Sequence, residues 1–213
     1  MKLGKRALQA WLLLTTFVTF NVFANLTPIA EFTKDMLEVE GYYDFYYDKQ
    51  SGKLFLKIER EKKPFLFQSS LPSGLGSNDI GLDRGQLGDT RIVQFERHGN
   101  KVLLVQLNTN YRASSENRAE QKSVEQAFAK SVIQGFEIKS KYRGTMLIDY
   151  TDFLLSDIHG VSRRLSDTKQ GSFKLDKSRS AVYFARSKSF PKNTELESIV
   201  SFTGSKPGKY VKQ

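Results

Sequence analysis

The sequence predicts an α+β fold that is β-dominated, with mostly antiparallel sheet and one main amphipathic helix. Three observations predict it. Short alternating or β-branched segments outnumber helical ones throughout, and most are joined by links of hairpin length. Only one segment carries a sustained helical stripe. No regular alternation of strand and helix suggests a parallel sheet.

The elements follow in chain order. Residues 1–24 read as a signal peptide: Lys2, Lys5 and Arg6 precede the uncharged, largely apolar run Ala7–Phe20, and Val22-Phe23-Ala24 forms a cleavage site. Residues 25–40 carry a weak helical pattern (Ile29, Phe32, Met36, Leu37) and read as a leader segment. A β-rich domain is expected over 41–204. It opens with the strand Gly41–Tyr47, a glycine-ended turn at 48–52, and an alternating strand Lys53–Glu59. Phe65–Gln68 is a third short strand.

Leu71–Arg91 interrupts the pattern. Gly74, Gly76, Gly81, Gly85 and Gly88 alternate there with Asn78, Asp79, Asp83 and Asp89, residues that favour tight turns. Leu75, Ile80, Leu82 and Leu87 recur through the same stretch. The expectation is an ordered loop held to the core by those four side chains, with Asx turns at Asn78 and Asp83. Thr90–Arg97 and Lys101–Leu107 then form a hairpin about Gly99-Asn100.

The main helix is capped by Asn117, with Glu120 completing a capping box. Its stripe is Val124, Ala127, Phe128, Ser131 and Val132, Gly135 is its stop, and it should cover one sheet face. Phe136–Lys139 with Thr145–Tyr150, then Ser172–Leu175, Ala181–Arg186 and Glu195–Phe202, read as further strands. A short helical turn is expected after Thr151 or Asp152. Residues 205–213 are Lys-rich and read as a truncated connection.

Composition narrows the function. A cleaved signal implies a periplasmic or secreted protein, with no span left after cleavage. The chain contains no cysteine, which excludes disulfides, a lipoprotein anchor, thiolate zinc and a cysteine nucleophile. Net charge is +10, and the Lys and Arg residues are scattered. That pattern points away from nucleic acid, whose binders present a stripe or patch, and for an exported protein towards anionic envelope polymer.

Candidate sites are few. Asn78, Asp79, Asp83 and Asp89 offer calcium-type oxygens, but the D-x-[DN]-x-[DN]-G order is absent and turn chemistry explains them. The glycine spacing matches no phosphate-binding loop. His98 and His159 stand alone, outside any H-E-x-x-H motif. His159, near Asp152 and Asp157, resembles an acid–base pair only loosely, and no nucleophile motif accompanies it. In the run Tyr42–Tyr47, alternation places Tyr43, Phe45 and Tyr47 on one strand face and Tyr42 and Tyr46 on the other. One set is core; the other is a candidate stacking surface for sugar or peptide. The candidate docking or binding residues are therefore Asn78, Asp79, Asp83, Arg84, Arg91, Tyr43 and Tyr47.

Several long phrases resemble a known family: GYYDFYYDKQSGKLFLKI, SGLGSNDIGLDRGQLGDTRIVQFERHGNKVLLVQ, NYRASSENRAEQKSVEQAFAKSVIQGF, TDFLLSDIHGV, GSFKLDKSRS and FPKNTELE. They resemble the N-terminal domain of unknown function of bacterial exported zinc-dependent metalloproteases. In that family the zinc ligands and the catalytic glutamate lie in a later domain, on an H-E-x-x-H helix. The resemblance therefore implies no catalytic residue, metal ligand or cofactor in this chain, with zinc confined to the peptidase domain. It implies a non-catalytic accessory domain whose partner is the peptidase domain of the same or a neighbouring polypeptide. The alternative is a stand-alone envelope- or polysaccharide-binding module.

Overall fold

A computed structural model describes residues 26–59, 61–75, 78–111 and 113–211. The expected signal peptide lies outside the described residues. The fold is β-dominated, built on one antiparallel sheet of eight strands with few helices. In chain order these are β1 (Leu37–Val39), β2 (Phe45–Asp48), β3 (Lys53–Ile58), β4 (Phe65–Phe67), β5 (Arg91–His98), β6 (Lys101–Gln106), β7 (Ser131–Tyr142) and β8 (Thr145–Asp149). Their order across the sheet is β1-β2-β3-β8-β7-β6-β5-β4. Two meanders are thus joined at one non-local seam, where Phe55 of β3 pairs with Asp149 of β8.

The sheet is strongly curled. Lys62 donates its N–H to the Phe95 carbonyl on β5, yet it follows Ile58 of β3 by only four residues. Four residues span at most about 14 Å. In a flat sheet four strand spacings would separate β3 from β5 by about 19 Å. The curl brings Tyr43, next to β2, against Phe65 and Phe95, with ring centroids 5.2 and 5.7 Å apart. Inside lies the main core, which includes Phe45, Leu54, Ile58, Val93, Phe95, Leu104, Ile138, Met146 and Ile148.

The segment expected as a leader belongs to this architecture. β1 is an edge strand on β2, and helix α1 (Ile29–Phe32) lies on the outer face of the sheet. There Ile29, Phe32 and Met36 cover Tyr46, Phe55 and Leu147. The tyrosine strand is therefore apolar on both faces, because each meets its own core.

The main helix, α2 (Arg118–Ala127), is shorter than its stripe implied. Asn117 caps it by accepting the Ala119 N–H at 2.9 Å. None of its residues is buried, so it does not cover the sheet. Ser131 and Val132 belong to β7, which continues through Gly135. β-Branched Val132 and Ile133 fit a pleated surface, and ladder bonds to β6 outweigh a helical continuation.

Beyond β8, α3 (Thr151–Leu154) plugs one end of the core with Phe153 and Leu154. The helix α4 (Val161–Asp167) was not expected. β9 (Ser172–Leu175) pairs with β14 (Phe202–Ser205). Between them lie β10 (Ala181–Val182), β11 (Lys188–Ser189), β12 (Thr194–Glu195) and β13 (Ser198–Ile199). The long strands expected at 181–186 and 195–202 are broken into these pieces. Ser and Thr side chains compete for the backbone there: Ser187 Oγ accepts the Glu197 N–H, and Ser180 Oγ the Ser201 N–H. Residues 206–211 fold back, with the Tyr210 N–H donating to Gln170 Oε1 at 3.0 Å.

Candidate functional site

The glycine-rich loop leaves β4 and returns to β5 as a loosely paired ribbon. Alternation continues along it: Phe67 and Ser69 turn inward, while Leu66, Gln68 and Ser70 face out. Backbone bonds tie its two arms, from Leu71 N–H to the Gln86 carbonyl and from Gly88 N–H to that of Ser69. Its tip closes through backbone as well, with Gly81 N–H on the Asn78 carbonyl and Gln86 N–H on that of Asp83, so these turns do not rely on the Asx bonding expected.

Two of the four expected anchors hold this loop. Ile80 and Leu82 are buried against Leu165 of α4, whereas Leu75 and Leu87 are exposed. Gly74 is needed for close approach, since a Cβ there would lie 2.5 Å from the Arg84 nitrogen and 2.6 Å from the Leu82 carbonyl oxygen.

Between this loop and the turn before α4 lies a cleft of about 190 Å³. Arg91, Arg163, Arg164, His159, Ser69, Gln86 and Asp89 supply its polar lining, and Phe67, Leu82 and Ile158 are among its apolar residues. The turn is set by Asp157, whose two carboxylate oxygens accept the Val161 and Ser162 N–H groups at 2.7 and 2.9 Å. Those bonds start α4 and place Arg163 and Arg164 on the cleft.

His159 Nδ1 lies 3.3 Å from Ser69 Oγ. Burial holds the imidazole pKa below its ordinary value, with the Asp157 charge pulling it up and Arg164 pushing it down. Asp157 is engaged by backbone, so Ser69, His159 and Asp157 do not form a relay of the kind that activates a serine.

The predicted site residues are dispersed. Arg91 reaches the cleft and meets Asp89 at 3.6 Å. Asn78, Asp79 and Arg84 are exposed at the loop tip, and Asp83 is half-buried. Among the described residues no three His, Cys, Asp or Glu groups come together as metal ligands, so the calcium reading finds no clustered donors. Tyr43 is 6% exposed, and Tyr47 is stacked on Phe184 at 4.5 Å, so the two rings do not form an open platform. Sequence reasoning missed Ser69, Arg163 and Arg164. The available signal was Asp157 followed by Gly160 and the Val161/Leu165 pair, a start signal attached to a very short helix.

Residues 85–213 match a protein family described as a domain of unknown function, DUF5117. The chain belongs to the DUF5117 family. The matched stretch carries β5 to β14 and, from the cleft, Arg91, His159, Arg163 and Arg164. β1 to β4, Ser69 and Leu82 precede it, although β1 to β4 complete the DUF5117 chain's eight-stranded sheet. Comparison with curated proteins and with solved structures finds no match. Among the described residues no helix of this DUF5117 protein is long and apolar enough to cross a membrane.

Proposed function

We propose that this chain is a non-catalytic accessory domain of an exported zinc-dependent metalloprotease, packing on the peptidase domain of the same or a neighbouring polypeptide. One observation carries the reading: α1 covers part of the outer face of the sheet, while an apolar pair at its β4–β5 end lies open. α1 covers Tyr46, Phe55 and Leu147. At the β4–β5 end, Leu66 of β4 pairs directly with Ile92 of β5, and they are 71% and 37% exposed. Val132 of β7 shares that face and is 52% exposed, while its partner Val105 on the same face is buried.

Contiguous apolar side chains on one sheet face are the usual mark of an interaction surface. The resemblance of the long phrases to metalloprotease N-terminal domains supports the choice of partner, and the exposed Leu66–Ile92 pair is the surface we assign to it.

The test reads the adjoining coding sequence for an H-E-x-x-H peptidase domain and mixes that domain with the full chain; an adjoining sequence without one overturns the proposal. Association should be measurable by calorimetry. Leu66→Asp combined with Ile92→Asp should weaken it by about tenfold or more, since buried apolar anchors dominate such interfaces. Leu66→Asp alone, at a site 71% exposed, should leave the thermal melt in place while still weakening association. Absence of association with the unaltered chain overturns the proposal.

A further inference from the structure

The cleft beneath the glycine-rich loop carries charge that the fold leaves unused. Arg163 and Arg164 enter no ion pair among the described residues. Arg91 meets only Asp89, a carboxylate whose side chain is 87% exposed. Three arginines thus line one recess with a single carboxylate, Asp89, among them. The excess of positive charge favours an incoming anion.

The shape of the recess limits what that anion is. At about 190 Å³ it admits a group the size of a side chain. Pockets for drug-sized ligands and cofactors run to about 300–1,000 Å³. Phe67 and Ile158 lie beside the arginines in a lining that is otherwise mostly polar, which suits a small charged group. Guanidinium forks bind carboxylates through paired, charge-assisted hydrogen bonds. Burial keeps His159 in its neutral form near neutral pH, so the imidazole adds a hydrogen-bonding edge without further positive charge.

The neighbouring backbone suggests how such a group arrives. The recess lies on the inward side of the ribbon that continues β4 and β5, and β4 is the last strand of the sheet. An extended peptide laid beside that edge projects alternate side chains towards the recess, in the manner of strand addition. We infer that this cleft is a recognition site for an acidic side chain carried on an extended polypeptide segment. It lies on the opposite side of the ribbon from Leu66 and Ile92, and it does not depend on what covers that outer face.

The test titrates the 15N-labelled full chain with the peptide acetyl-Glu-Leu-Glu-amide. The neutral acetyl-Gln-Leu-Gln-amide and sodium phosphate are titrated in parallel. Saturable shifts of the Leu82, Gly88 and Gly160 amides are expected with the acidic peptide alone. Arg163→Gln with Arg164→Gln should weaken that binding by about tenfold or more, as for other truncated charge pairs at interfaces. Both side chains are exposed, so the variant should melt like the parent. Arg84→Gln, outside the cleft, should bind normally. An equal response to the glutamine peptide, binding of phosphate without peptide, unchanged affinity in the double variant, or no saturable shift each overturns the inference.

Discussion

Gly74 shows how tightly one residue can govern the loop. Its neighbours at Cβ distance are backbone atoms of Leu82, Asp83 and Arg84, which cannot swing aside as a side chain would. Gly74→Ala is expected to destabilise the protein by about 1–3 kcal/mol in chemical denaturation, the usual cost of overpacking. His159 gives a second residue-level expectation. Its folded pKa is depressed, so the unfolded state binds more protons, and stability falls as pH drops below the ordinary histidine value towards the lower folded one. His159→Gln should flatten the melting temperature across that window, and an unchanged slope would refute it. At this scale the sequence was partly readable. The aliphatic spacing of the loop identified Ile80 and Leu82 but could not separate them from exposed Leu75 and Leu87, because the deciding partner, Leu165, is far away in the chain. Burial on both faces of the tyrosine strand was hidden for the same reason. Tyr43→Ala and Tyr46→Ala should each cost about 3–5 kcal/mol, as for other large buried rings.

Among the elements, α2 is the least tied to the rest. Its cap was legible from Asn117 and its start from the residues that follow. Its end was not, since Val132 fits a helical stripe and a strand alternation equally well. The choice was made by β6, whose Val105 pairs with Val132. Asn117→Ala should cost the helix about 1 kcal/mol. With no buried residue in α2, that loss should appear as faster amide exchange over 118–127 and leave the global melt in place. A fall in the global melt would mean that the helix is coupled to the core. The cleft shows the opposite pattern: its basic residues were visible one by one, but α4, which groups them, was too short for periodicity to reveal.

For the molecule as a whole, antiparallel β-dominance could be read from strand count and link length. The strand order could not, because it turns on the pairing of β3 with β8, whose sequence separation leaves no local trace. The role of residues 26–40 was equally hidden, since their pattern is weak until Tyr46, Phe55 and Leu147 supply the surface beneath. A chain lacking those residues should lose cooperative unfolding and bind a hydrophobic dye, as expected when a buried apolar face is opened. A sharp, dye-free melt would argue otherwise. The curled sheet has one last consequence. Its wall is a split ring: β1 and β4 are the two free ends of the strand order, and rings such as Tyr43 and Phe65 touch across the gap where a ladder would otherwise run. A split ring yields at its slit. Amide exchange should accordingly be faster along β1 and β4, at the slit, than along the paired β3 and β8.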